Sequence, residues 1–399
     1  MKRIKIAMLA LMLILVSSGL VFAEQAATIE DAFRDGNLSG TIGSYFEYTN
    51  MDADDSDFGW ATGYLTMKYE TLEWNRLKAG ARLFVHGELF SDHDNSTTDP
   101  FTVDVEKKVT LPELYLNYGV FDDSSIVVGR WAHGKNTHID DAQSQGAYVN
   151  FKEIDYVEIT AGITKSFAEI DYDDGEDFGR TNDSQDFGNE GTYGSGSSSN
   201  LMFLEAKYSL LDILSLNPYV MHQDGYAGVA GMDAKIETEY EDLDLTYGAK
   251  VSYYHVDAKA IGIDNSDSYA IFPYAKKGPL EVTLGYASFD DGDALNKPAW
   301  LRDYLTILDQ QKEYGRAGSR KKFAKVKLSL DKFWTHIAVG DNSYDYVAAV
   351  GDRSVEYELQ FGYQFTKSLD LNIRLFDVKY DDVDNKDYQK VETRMRFKF

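Results

Sequence analysis

Cysteine is absent from the 399 residues, proline occurs six times, and basic residues are scarce, 40 against 66 acids. Without cysteine there are no disulfides, no thiolate metal centres and no cysteine nucleophile, which suits a chain exported unfolded. The acidic excess argues against nucleic acid as a partner, because phosphate binding needs a concentrated basic face. It also removes attraction to an anionic lipid surface as a means of membrane association. Beyond residue 23 no apolar run approaches the roughly 20 residues that a spanning helix requires. Helical periodicity is nearly missing as well.

The first 23 residues stand apart. Lys2, Arg3 and Lys5 precede an apolar stretch, 6–16, and small residues lead to Val21, Phe22 and Ala23. That order is a cleaved secretory signal, with an apolar centre too short for an anchor. Its removal takes three of the 40 basic residues and no acid, so 37 face 66 and the net charge becomes −29. What remains is rich in tyrosine (28) and phenylalanine (22), a content that excludes disorder despite the charge.

The dominant pattern is alternation. In 391–399, Val391, Thr393, Met395, Phe397 and Phe399 share one face while Glu392, Arg394, Arg396 and Lys398 share the other. Val355, Tyr357, Leu359, Phe361, Tyr363 and Phe365 alternate in the same way with Glu356, Glu358, Gln360, Gly362 and Gln364. A period of two is what a strand needs when its faces meet different surroundings. Eighteen such runs are expected: 38–48, 58–70, 76–89, 109–119, 124–131, 145–152, 155–165, 201–210, 213–222, 227–237, 243–256, 268–277, 280–289, 322–331, 333–341, 354–366, 369–380 and 388–399. The connections between them alternate between tight turns and longer acidic stretches, the largest being 166–200 and 290–321.

A soluble sandwich would bury its apolar face, and period alone does not separate the two. Length, strand number, export and turn alternation favour an all-β, transmembrane antiparallel barrel of 18 strands, with short periplasmic turns and long extracellular loops. The expected organisation is a signal peptide over 1–23, a periplasmic segment over 24–37 and the barrel over 38–399. In the periplasmic segment, Thr28 is an expected N-cap with Asp31 three residues on, and Gly36 the expected helix stop.

Two short motifs carry a family resemblance. Residues 32–40, Ala-Phe-Arg-Asp-Gly-Asn-Leu-Ser-Gly, lead into an aromatic strand and resemble the mature start of OprD-type outer-membrane porins, a group that includes related proteins of Campylobacter-like bacteria. Val127, Val128, Gly129 and Arg130, followed by the polar stretch 132–145, resemble that family's Gly-Arg-Gln strand and third loop. Trp131 stands where the family has Gln, so details of the constriction differ. The resemblance implies passive diffusion of small polar solutes, often carboxylate-bearing, past a wall of basic side chains. It also implies that the strand ending in Phe399 is the signal read by the barrel-assembly machinery.

With the apolar parity outward, the polar parity forms the channel wall. On the third strand this turns Lys78, Arg82 and His86 inward, and elsewhere Arg130, Lys207, Lys250, Lys325, Lys327, Arg374, Arg394, Arg396 and Lys398. The last strand closes on the first, so Arg374, Arg394 and Arg396 are expected in one basic patch, continued by the third strand. Such a ladder orients dipolar solutes and favours anionic groups at a narrow point. The plainer reading of each cation is a solvated side chain paired with a neighbour such as Glu392 or Glu356. The third long connection, 132–145, is the leading candidate to fold inward.

Asp171, Asp173, Asp174 and Asp177 form a candidate calcium loop, since calcium takes oxygen ligands, although no Asp-x-Asp-x-Asp-Gly register completes it. Otherwise such runs are solvated loops that share divalent ions with lipopolysaccharide. Catalysis finds little support. His86, His93, His133, His138, His222, His255 and His336 sit in no recognisable motif, and Gly194-Ser195-Gly196 lacks the strand–elbow–helix setting of a nucleophile. No cofactor is expected. The sequence thus describes an outer-membrane porin passing small hydrophilic solutes, in contact with lipid and lipopolysaccharide, as monomer or homotrimer. The alternative is a structural or adhesive barrel with a plugged lumen.

Overall fold

The computed structural model describes residues 26–51, 56–92, 108–132, 138–139, 143–168, 200–210, 213–223, 227–258, 265–290, 318–343, 353–381 and 387–399. The leader expected over 1–23 and the carboxylates Asp171, Asp173, Asp174 and Asp177 lie outside these residues.

Each alternating run is a strand: β1 (Asn37–Met51), β2 (Ser56–Glu70), β3 (Leu77–Asp92), β4 (Lys108–Gly119), β5 (Ser125–Ala132), β6 (Gln143–Ile154), β7 (Val157–Ala168), β8 (Leu201–Leu210), β9 (Leu214–Gln223), β10 (Ala227–Tyr240), β11 (Leu245–Ala258), β12 (Ser266–Lys277), β13 (Leu280–Phe289), β14 (Arg320–Ser329), β15 (Phe333–Ser343), β16 (Arg353–Gln364), β17 (Leu369–Tyr380) and β18 (Tyr388–Lys398). Each pairs antiparallel with its neighbours in sequence, and β1 pairs with both β2 and β18, so one 18-stranded sheet closes on itself. The closure continues past β18: Gly40 and Phe399 exchange two backbone hydrogen bonds of 3.0 Å. Closure removes every sheet edge, as a sheet in hydrocarbon requires.

The outward face is apolar in the middle and aromatic at both ends. Leu114, Val128 and Ile337 are 57%, 52% and 64% exposed, and they point away from the lumen. Towards the tight-turn end the outward positions hold Tyr118, Tyr208, Tyr240, Tyr247 and Tyr363, and towards the long-loop end Tyr48, Tyr253, Tyr269 and Tyr357, with Tyr286 opposite the outward Ile271. Two aromatic girdles around an aliphatic band are the surface that a bilayer and its two interfaces select.

Local chemistry fixes the turns. Asn75 and Arg76 both have positive φ, and Trp74 and Leu77 exchange backbone hydrogen bonds of 3.0 and 2.9 Å, the two-residue hairpin whose twist matches the strands. The long-loop end is less regular than expected, since 52–55 and 224–226 connect their strands with four and three residues. There β1, β2, β9 and β10 extend their alternation almost to the connection.

Among the described residues before β1 lies a short helix, α1 (Ile29–Arg34), at the tight-turn end. The Asp31 amide donates to Thr28 Oγ1 at 3.1 Å, the expected cap. The expected glycine stop is not used, because α1 ends at Asp35 (φ −102°) and Gly36 is absent from the positive-φ residues. Gly36 is small for another reason: a side chain there would meet the Tyr69 phenol. This close approach recurs inside the barrel. The rings of Tyr64, Tyr115, Tyr219 and Trp334 lie over Gly43, Gly80, Gly231 and Gly362, their partners on the neighbouring strand. Flattened against the wall, these rings bury apolar area without crossing the lumen.

Candidate functional site: the inner wall and its inward connection

Register assigns each side chain to a face. Across β16, β17, β18, β1 and β2 one lumen-facing row reads Gln360, Arg374, Glu392, Glu47 and Trp60. The next reads Gly362, Asn372, Arg394, Tyr45 and Thr62. Arg396 follows between Asp370 and Gly43. Three of the expected cations are therefore together on two adjacent strands.

They are not bare. Lys390 Nζ lies 2.9 Å from Glu47 and 2.6 Å from Glu392, and Tyr45 donates its hydroxyl to Glu47 at 2.8 Å. Arg374 is 3.5 Å from Glu392, Arg396 is 2.9 Å from Asp370, and Lys398 is 3.7 Å from the same carboxylate. Farther round, Arg82 Nε stands 2.5 Å from Glu113, and Lys68 reaches Glu70 at 3.2 Å. Alternating charges at this spacing stabilise one another and leave a corrugated polar surface. The pairing of Arg374 with Glu392 is the plainer reading of a lumen cation.

Lys325 and Lys327 also face inward, on β14, where Lys327 is opposite Glu281 and His336 and lies 5.8 Å from the Trp334 ring centre. They are three strands from Arg374, so the cations from Lys325 to Arg82 span an arc from β14 through the closure to β3, while the expected Lys207 on β8 and Lys250 on β11 lie outside it. Lys78 sits at its edge, in an open cleft of about 480 Å³ at the tight-turn mouth, 3.8 Å from Glu73.

Arg130 is a correction. Its register partners are Leu114 and Gln145, and it shares its parity with Ile126 and Val128, both outward. Its neighbour Trp131 is the inward residue, buried and 5.0 Å from the Tyr148 ring centre. Gly129, at φ +127°, keeps the chain extended without shifting the register, so Arg130 emerges on the lipid side near the long-loop end. There its guanidinium donates to the Leu111 carbonyl at 3.0 Å. Inward assignment failed because the expected parity was anchored on Arg130 rather than on Val127.

The opposite wall differs. The lumen-facing positions Leu201, Phe203, Tyr219, Met221, Tyr254 and Phe272 belong to one apolar cluster that spans β8 to β15. Ile139 of the β5–β6 connection, with none of its surface exposed, belongs to the same cluster. The preceding residue, His138, stacks on Tyr219 with ring centres 3.6 Å apart. Its backbone amide donates to Glu205 at 2.9 Å, and its Nε2 lies 3.0 Å from Asp233. The connection expected to fold inward does so at these two residues. Neither was singled out in the sequence for this role, although Glu205 and Asp233 are inward by alternation and an isolated Ile in a polar loop is a detectable signal.

No protein-family model matches the sequence, and no curated protein matches it. Solved structures do match in fold. The Pseudomonas aeruginosa porin OccK9 (OpdG) superposes with a TM-score of 0.75 at 13% identity, covering 92% of this chain and 99% of that one. A BenF-like porin from Pseudomonas fluorescens Pf-5 gives 0.73 at 13%, covering 92% and 99%. Pseudomonas aeruginosa OccK2 (OpdF), solved in complex with glucuronate, gives 0.72 at 14%, covering 92% and 98%. The fold is that of the Occ and OprD-type outer-membrane porins.

Proposed function

We propose that this chain is an outer-membrane porin, a passive diffusion channel for small hydrophilic solutes, carboxylate-bearing ones among them. The observation that carries the reading is a closed barrel with a lipid-suited exterior and an ionised inner arc running from β14 to β3. Glu47, Glu113, Asp370 and Glu392 hold Lys390, Arg82, Arg396 and Arg374 in place. Because those cations are positioned beforehand, an anion passing them meets fixed donors rather than mobile side chains. The apolar arc opposite would carry the body of an amphipathic solute while its carboxylate follows the charged arc. Glucuronate, bound by the fold relative OccK2, is a fitting probe. The terminal strand and Phe399 would serve as the address for the assembly machinery.

Liposome swelling tests the reading. Proteoliposomes should admit glucuronate faster than a neutral hexose of similar size, and equal rates would remove the carboxylate preference. A second reading, a plugged structural or adhesive barrel, is favoured by one observation, the deep burial of the apolar arc and Ile139. Swelling no faster than that of empty liposomes would put that reading first.

A further inference from the structure

His138 and Ile139 of the β5–β6 connection are held in the barrel by an ionisable group. His138 meets three adjacent strands at once. From β8, Glu205 accepts the His138 backbone amide through Oε1 and places Oε2 3.3 Å from Nδ1. From β10, Asp233 Oδ2 lies 3.0 Å from Nε2. From β9, Tyr219 offers its ring face, interplanar angle 16°, and that ring lies over Gly231, where any side chain would displace it. The imidazole and the Glu205 carboxylate are withdrawn from solvent, Asp233 is half-buried, and Ile139 beside the imidazole enters the apolar cluster.

Both ring nitrogens thus face carboxylate oxygens. Only the imidazolium can donate to both; the neutral ring directs a lone pair at one of them. Among the described residues, the other charges near the site lie beside partners of their own. Lys235, the next inward residue on β10, is 2.9 Å from Glu237, and Lys207, the next on β8, is opposite Glu158. The flanking strands contribute Thr160 opposite Glu205, and Asn217 and Ser252 opposite Asp233, none of them charged.

We propose that His138 is a proton-sensitive positioning residue: as imidazolium it ties residues 138–139 to the β8–β10 wall, and its deprotonation loosens that tie. Burial opposes the charge on His138, but Asp233 and Glu205 outweigh it and raise its pKa above the ordinary 6.5. The sign follows. A group whose pKa is higher when docked favours docking most below the undocked pKa, and that contribution disappears as pH rises through the docked value. Release should grow roughly tenfold for each unit by which docking raises the pKa.

The chain lacks cysteine, so Ile139→Cys reports docking directly through its rate of modification by a water-soluble thiol reagent. At each pH between 5 and 9 this rate is divided by that of the same variant unfolded in urea, which removes the ionisation of the thiol itself. Protection should fall with rising pH by about tenfold or more, and His138→Gln in the same background should abolish the pH dependence. Asp233→Asn is a second variant expected to weaken protection most at low pH. Protection that ignores pH, or that keeps its pH dependence in His138→Gln, overturns the anchor.

Discussion

Two arcs of the inner wall have the same backbone and the same parity, yet opposite chemistry. From β17 through the closure to β3 the lumen-facing positions hold Arg374, Lys390, Glu392, Glu47 and Arg82, bound into ion pairs of 2.5–3.5 Å. From β8 to β14 the equivalent positions hold Phe203, Tyr219, Met221, Tyr254, Phe272 and Phe323. Alternation separates lipid from lumen, but it does not decide what the lumen is made of. That depends on what each arc faces. The apolar arc receives Ile139, and the charged arc is held by its own carboxylates. Flattening aromatic rings over glycines lets the apolar arc bury area while leaving cross-section free.

The contrast can be broken on either side. The largest effect is expected on the charged arc. Lys390 is almost fully enclosed between Glu47 and Glu392, so Lys390→Met leaves two buried carboxylates facing each other. By analogy with broken buried pairs this should cost about 3–5 kcal/mol, read as a lower urea midpoint for loss of the heat-modifiable folded band on a gel. On the apolar arc, Gly231→Val drives the Tyr219 ring off the wall and should cost about 1–3 kcal/mol, as overpacking does, by the same measurement. A smaller and sharper test uses two arginines. Arg394→Gln, on the lumen face, should move the reversal potential in a salt gradient towards cation preference, whereas Arg130→Gln, on the outward face, should leave it unchanged. An equal shift from both would return Arg130 to the lumen.

The smallest effect concerns α1, outside both arcs. The Thr28 hydroxyl and the Arg34 guanidinium hold Asp31 below its ordinary 3.8, with partial burial opposing them. A depressed pKa contributes stability above the unfolded value that is lost as pH falls through the folded one. Amide hydrogen exchange at Ala32 and Asp35 should therefore accelerate below about pH 4, relative to the intrinsic rate, and Thr28→Ala should remove much of that pH dependence.

Most of the fold was legible in the sequence, because lipid on one face and water on the other impose a strict period of two over many residues. Val391 to Phe399 shows it without ambiguity. The site was legible only where parity is unbroken and the partner is on a neighbouring strand, as with Arg374 and Glu392. Arg130 was misassigned because a short strand ending in Gly, Arg and Trp offers two parities, and only the burial of Val127 and Trp131 decides between them. His138 and Ile139 were not legible as anchors, because their partners Glu205, Tyr219 and Asp233 lie 67 to 95 positions away, on β8 to β10, and no local pattern links them to the β5–β6 connection. The expected glycine stop at Gly36 failed in a similar way, since Tyr69 on β2 explains that glycine better than the helix does.

The most direct test of a selective channel is single-channel recording of the refolded barrel in a planar bilayer, with the reversal potential taken in a salt gradient. The expected result is discrete open steps with anion preference, lost when Arg82→Glu and Arg394→Glu are combined. No current from a barrel shown to be folded by its heat-modifiable migration, or a preference that survives both substitutions, would contradict it.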